Sequence, residues 1–353
     1  MIHDEYSDVN HNNFVDDSPY ANIDIKCKYL DEFQYCLEYK NLKNLSFMTF
    51  NIQSLQSKFN QFKDMMQNLI NNSCAPEIIL LQEIWKLHDA VHFDLAGYTF
   101  IHKTRTSSQG GGVGIYIKNN IQFSVLEHYS IFIDHIYESL FIELFISKKK
   151  KIIIGNVYRP SVNHPVLSNS EQFNSFFELF TNILDKLANL NLQVLIGGDF
   201  NLDALKYRIN RSVTNYIDLL FSYGFLQLIL KPTRCSSRSA TLIDHFISNS
   251  NDDFHDTVIL TSAISDHFPI LYISKSKNEK NIPPLVSYRN FSQNNIDNFT
   301  NALNQINWDF MYNLNAQHTY DYFSETFLTL FNLYFPVLFK KANRNLQPMN
   351  LWM

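Results

Sequence analysis

Two amides, four carboxylates, a phenol and an imidazole stand at the ends of short apolar runs along this chain. They fall in Thr49-Phe50-Asn51, Leu81-Gln82-Glu83, Val157-Tyr158-Arg159, Gly198-Asp199-Phe200-Asn201, Leu242-Ile243-Asp244 and Ser265-Asp266-His267. These residue types suit the binding of a hard divalent cation and attack on a phosphoryl group. Glu83 offers the carboxylate that Mg²⁺ or Mn²⁺ prefers, with Asn51 and Asp266 as further oxygen donors and water completing the shell. Asp199 can take a proton from an attacking water. Asn201, two residues on, is expected on the same side of an extended segment, where it can orient that water. His267 can donate to a phosphate oxygen while Asp244 fixes its tautomer and favours the imidazolium. Tyr158 offers a hydroxyl to a second phosphate oxygen. Water suffices as the nucleophile.

The elements that must position these groups are legible too. Residues 47–50, 78–81, 152–157 and 194–196 are short, branched or aromatic runs, as expected of buried strands. Strands in a buried sheet satisfy their own backbone and leave their tips free, so polar groups at several tips can share one cleft. Phe59, Phe62, Met66, Leu69 and Ile70 recur at helical spacing, as do Phe173, Phe176, Phe177, Phe180, Leu184 and Leu187. Both stripes are expected to face the core. Gly110, Gly111, Gly112 and Gly114 read as a turn before a strand at 113–118, since no helix follows to make a phosphate nest. His245 alternates to the face opposite Asp244 and is expected to be structural. Lys148 to Lys151 separate two apolar strands and read as a hairpin tip.

Eight segments in one order carry a resemblance. They are TFNIQSL (49–55), LLQEIW (80–85), GGGVGIYIK (110–118), NVYRP (156–160), GGDFNLD (197–203), KPTR (231–234), TLIDHF (241–246) and SDHFPI (265–270). From about Leu45 to Ser274 the chain resembles the endonuclease/exonuclease/phosphatase superfamily. Within it, the likeness is to the apurinic-type endonuclease domain of non-LTR, LINE-like retrotransposons. Each segment alone is weak, but eight in the family's order are specific. The resemblance implies a DNase-I-like α/β fold, a four-layer sandwich of two packed mixed β-sheets flanked by helices. It also implies a Mg-dependent enzyme that nicks one DNA strand to leave a 3′-hydroxyl, acting as a monomer, and in the nucleus if on host DNA. Between Pro232 and Leu242 a polar loop is expected at the cleft rim. There Thr233 matches a family residue that touches substrate, and Arg234 and Arg238 would reach phosphates or the minor groove.

Two other readings stand beside this one. A superfamily phosphatase would act on inositol phosphates or phospholipid head groups. Inositol phosphatases typically follow the Asp-x-Asn with a Tyr-Arg pair, whereas Leu202-Asp203 follows here. A relic of a truncated element would only bind nucleic acid. Arg289 to Ser292 resemble the retrotransposon segment on the way to a reverse transcriptase, and Met353 ends the chain before any polymerase motif.

Composition agrees with a globular chain: 45% of 353 residues are hydrophobic, enough for a sizeable core. No apolar run reaches a membrane span and no signal-peptide pattern opens the chain. The four cysteines lack zinc-ligand spacing and read as reduced thiols of an intracellular protein. The net charge of −5 is concentrated in residues 1–32, which hold eight acids against two lysines. The remainder, at +1, is not hostile to a polyanion. Residues 1–44 read as an acidic, disordered leader with one short helix between Leu30 and Leu42. Residues 45–274 form the catalytic domain, 275–291 a linker, and 292–353 a helical segment capped by Ser292.

Overall fold

A computed structural model describes residues 26–40, 44–87, 93–106, 108–147, 150–161, 166–190, 192–236, 239–250, 255–274 and 285–341. The chain separates into two compact units, residues 1–277 and 278–353.

The first unit holds sixteen strands among its described residues. They are β1 (Cys27–Leu30), β2 (Ser46–Asn51), β3 (Ile78–Gln82), β4 (Tyr98–Lys103), β5 (Val113–Lys118), β6 (Gln122–Val125), β7 (Phe132–Ile133) and β8 (Tyr137–Phe145), followed by β9 (Lys151–Tyr158), β10 (Gln193–Asp199), β11 (Leu226–Gln227), β12 (Arg234–Ser236), β13 (Ser239–Thr241), β14 (Asp244–Ser248), β15 (His255–Leu260) and β16 (Ile270–Ser274). One sheet runs β1-β15-β16-β2-β3-β5-β4, the other β11-β14-β10-β9-β8-β6 with β7 on β8. Both are mixed: β2 pairs parallel with β3, and β9 with β10, among antiparallel neighbours.

Alternation along the strands sets the layers. In β2 and β3, Phe47, Ile78 and Leu80 join the cluster shared with the second sheet. Met48, Phe50, Ile79 and Leu81 point the other way, onto the helices Glu32–Tyr39 and Leu55–Asn71. The second sheet is covered by Asn169–Ala188, which buries Phe173, Phe176, Phe180, Leu184 and Leu187, and by Arg211–Ser222. The result is the four-layer α/β sandwich expected from the sequence. Gly197 lets the sheets close, because a Cβ there would fall 2.8 Å from Leu80 and 3.1 Å from Thr49.

The leader reading needs correction. Residues 27–30 form β1, which pairs parallel with β15 at the edge of the first sheet. The helix Glu32–Tyr39 answers the expected short helix, with Asp31 and Gln34 closing a capping box. Residues 27–39 of the expected leader therefore belong to regular structure, and residues 1–25 lie outside the described residues. The linker reading is shortened likewise. Leu285–Arg289 is a strand, β17, paired with β18 (Val337–Lys341) in the second unit. That unit also holds the helices Gln293–Asn304, capped by Ser292, and Ala316–Tyr334.

Candidate active site

Strand direction brings the polar tips together. β2, β3, β9 and β10 all end on the same side, and β14 starts there antiparallel to β10. Tyr158, Asp199 and Asp244 consequently sit in one cross-strand row of the second sheet. Asn51 and Gln82 are partners in the first. Ser265 ties the last motif to this end by donating to Asn51 O at 2.8 Å and accepting from His267 N at 3.0 Å.

Asn51 is the bridge. Its side-chain amide donates to Glu83 Oε1 at 3.0 Å and to Asp199 Oδ2 at 2.8 Å. Glu83 also accepts from Tyr158 Oη at 3.1 Å and from Trp85 Nε1 at 3.3 Å. On the other side of Asp199, Asp244 faces His267 Nδ1 at 2.9 and 3.0 Å. The imidazole Nε2 lies 3.9 Å from Asp266 Oδ1. Asp199, Asp244 and His267 are all buried, and one ligand atom from each lies within 4.8 Å of the others.

This crowding moves the proton affinities. Burial lifts Asp199 to about 7, helped by Asp244 and Glu83 and opposed by His267 and Asn51. Burial works against a charged His267, but Asp244, Asp199 and Asp266 outweigh it and raise the ring to about 9. Burial and the neighbouring Glu83 push the Tyr158 phenol upward. Near neutral pH the site thus pairs an imidazolium with a carboxyl poised to accept a proton.

Several expected positions take different duties. Asn201 is not on an extended segment: its φ is 48°. Its side-chain amide donates to Arg159 O at 2.8 Å and Asp199 Oδ2 at 3.2 Å, and its backbone N–H to Asp199 Oδ1 at 2.9 Å. It clamps Asp199 itself. Thr233, expected from the resemblance to touch substrate, is buried beside Asp244. Its hydroxyl donates to Asp244 Oδ2 at 2.7 Å, while Asp244 N donates back to it at 3.1 Å. Arg234 is exposed, with Nε and a terminal nitrogen both 2.7 Å from Asp266 Oδ2. Burial opposes it, yet this guanidinium and His267 hold Asp266 below the usual carboxylate range. Arg238 lies outside the described residues.

The donor set suits a hard cation. Asp266 Oδ1 is buried with no hydrogen-bond partner among the described residues, and His267 Nε2 is 3.9 Å away; a bound cation would add a second positive neighbour to this oxygen. Glu83 and the amide of Asn51, bonded to each other at 3.0 Å, carry oxygens of the same hard type.

The sequence reading passed over a polar layer beneath the site. Gln82 Nε2 donates to Asn156 Oδ1 at 2.6 Å, joining the two sheets, and Asn156 donates to Leu81 O and Gly114 O at 2.9 Å each. Both amides were visible inside the quoted motifs, next to residues with more obvious chemistry. His245 is structural as expected: it is stacked on Phe200, bonded to Tyr216 at 2.9 Å, and held neutral by burial, at about 4.

A two-sheet α/β sandwich with acids and an imidazole converging on the strand tips is the architecture of a nuclease-like phosphoesterase fold. The chain belongs to the Endonuclease/Exonuclease/phosphatase family, whose profile matches residues 48–267. The structure is similar to an AP endonuclease from Leishmania major (TM-score 0.54, 14% identity, covering 70% of this chain and 96% of that one). It is also similar to the APE2 catalytic domain of Xenopus laevis (0.52, 17%, 67% and 94%). The endonuclease domain of TRAS1, a telomere-specific non-LTR retrotransposon, gives 0.48 at 13% identity, covering 66% and 98%. Identities this low establish likeness of fold. Among curated proteins none matches the sequence.

Proposed function

We propose that the chain is a Mg²⁺- or Mn²⁺-dependent DNA endonuclease of the retrotransposon type, hydrolysing one phosphodiester bond to leave a 3′-hydroxyl. The observation that carries this reading is the placement of Asp199 between two poles, Glu83 with Tyr158 on one side and Asp244 with His267 on the other. Asp199, poised near neutrality, accepts the proton of the attacking water, with Asn51 and Asn201 fixing its orientation. His267 is oriented through Nδ1 by Asp244 and donates from Nε2 to a phosphate oxygen. A cation held by Glu83, Asn51 and Asp266 would neutralise phosphate charge and steady the leaving oxygen.

The positions after Asp199-Phe200-Asn201 favour DNA over inositol phosphates. Leu202 is buried, and Asp203 spends its carboxylate on Leu242 N at 3.0 Å. Neither is available to grip a second phosphate, and Asp203 would repel one. Supercoiled plasmid should be nicked in Mg²⁺ or Mn²⁺ and remain intact in EDTA, with nicks extendable by a DNA polymerase. Phosphate release from inositol phosphates without plasmid nicking would overturn the reading in favour of a phosphatase.

A further inference from the structure

The row that carries Tyr158, Asp199 and Asp244 holds a third acid. Glu138 is the cross-strand partner of Tyr158 on β8 and is fully buried, unlike the half-buried Glu143 of the same strand. Its carboxylate accepts from Gly112 N at 2.5 Å and from Arg105 Nε at 2.6 Å. Arg105 is itself only 6% exposed, and its guanidinium fills the space that a Cβ on Gly111 would need. Gly111 and Gly112 have φ of +75° and +89°, so this turn tolerates little else.

The glycine turn in turn holds the backbone that presents Glu83. Trp85 N donates to Gly111 O at 2.8 Å and Lys86 N to Gln109 O at 3.1 Å, while Glu83 O accepts from Ser54 N at 2.8 Å. Glu83 and Trp85 both sit in the left-handed region, at φ 51° and 62°. Such backbone persists only where its surroundings over-determine it. A buried ion pair, by contrast, is a poor device for stability alone, since apolar residues of similar volume often serve as well.

We propose that Glu138 and Arg105 are positioning residues for the metal-binding carboxylate: their ion pair locks the glycine turn, and the turn fixes the strained Glu83 segment facing the cleft. This rests on the reading of Glu83 as a metal ligand. It adds that the ligand's affinity for the ion is set by a pair of residues that never meet it.

The test uses the full chain and Mn²⁺ alone. Trp85 Nε1 lies 3.3 Å from Glu83 Oε2, so bound Mn²⁺ should quench its fluorescence; a Trp85→Phe variant defines the background of the other tryptophans. Glu138→Ala should raise the Mn²⁺ concentration for half-quenching about 10- to 100-fold, the usual cost of losing an outer support, and Glu138→Gln should raise it less. The double variant Glu138→Met, Arg105→Met separates positioning from folding. It should recover thermal stability while half-quenching stays displaced. If Mn²⁺ affinity returns together with stability, or is unchanged in Glu138→Ala or Glu138→Gln, the proposal is overturned while the metal reading stands. If the wild-type chain shows no Mn²⁺ quenching of Trp85, the metal reading of Glu83 fails and the proposal falls with it.

Discussion

Glu83 and Asp244 are acids at strand tips in different sheets, and they are held in opposite ways. Asp244 is the first residue of β14 and part of the sheet, its oxygens shared between a buried imidazole and a buried hydroxyl. Glu83 stands just past β3 on left-handed backbone, in a turn braced by another turn, and takes three donors from three different segments. One wall is rigid because it is sheet. The other is rigid only because loops hold it. The rigid wall suits a fixed proton relay, where small displacements are costly. The braced wall suits an ion whose ligands are satisfied by adjustment and water.

That contrast can be broken most forcefully at the proton relay. Asp199→Ala and His267→Ala should each lower the nicking rate by about 10²–10⁴-fold, with no recovery at raised metal. Full activity in both would remove the relay. In the wild type, activity should rise as Asp199 loses its proton through about 7 and fall as His267 loses its own through about 9. A cation beside Asp199 moves the lower limb to more acid pH. A profile flat from pH 5 to 10 would contradict both assignments.

Glu83→Gln should cost about 10- to 100-fold at limiting Mg²⁺ and regain most of that loss at high Mg²⁺. If raised metal restores nothing, the two walls do not differ in kind. Thr233→Val should slow nicking by about tenfold through loss of one hydrogen bond to a charged group, while Thr233→Ser stays near wild type. The smallest effect on rate belongs to the β12–β13 hairpin. Replacing residues 235–240 by a Gly-Ser turn should leave rate and metal dependence unchanged but redistribute the nicks along a long duplex. An unaltered pattern would make the hairpin a connector.

The sequence made the strand tips legible because each polar motif borders an apolar run, closing it at Asn51, Glu83, Tyr158 and Asp199 and preceding or opening it at Asp244 and His267. It could not distinguish a residue that meets substrate from one that supports it. Thr233 and Asn201 have chemistry suited to either role, and only their burial and backbone angle assign them to Asp244 and Asp199. Gln82, Asn156 and Glu138 were hidden for a related reason, since their partners lie on distant strands. Two acids, Glu138 and Glu143, stand in the run Tyr137–Phe145, and nothing local marks the first as the buried one. Cys27–Leu30 was missed because four residues show no periodicity and the partner strand lies more than two hundred positions away.

That short strand has a practical consequence for anyone expressing the domain. A chain begun at residue 45 would lack both β1 and the helix that buries Tyr35, Cys36 and Tyr39. It would leave β15 with a row of bare backbone donors and acceptors along Thr257 to Leu260. Unpaired edges of this kind recruit other strands, and the nearest supply is a second truncated copy. Such a protein would lose solubility through edge pairing, and it would also lose the bonds from Tyr29 Oη to Pro232 O at 2.8 Å and from Thr261 N to Leu30 O at 2.9 Å, beside the segments that carry Thr233 and His267.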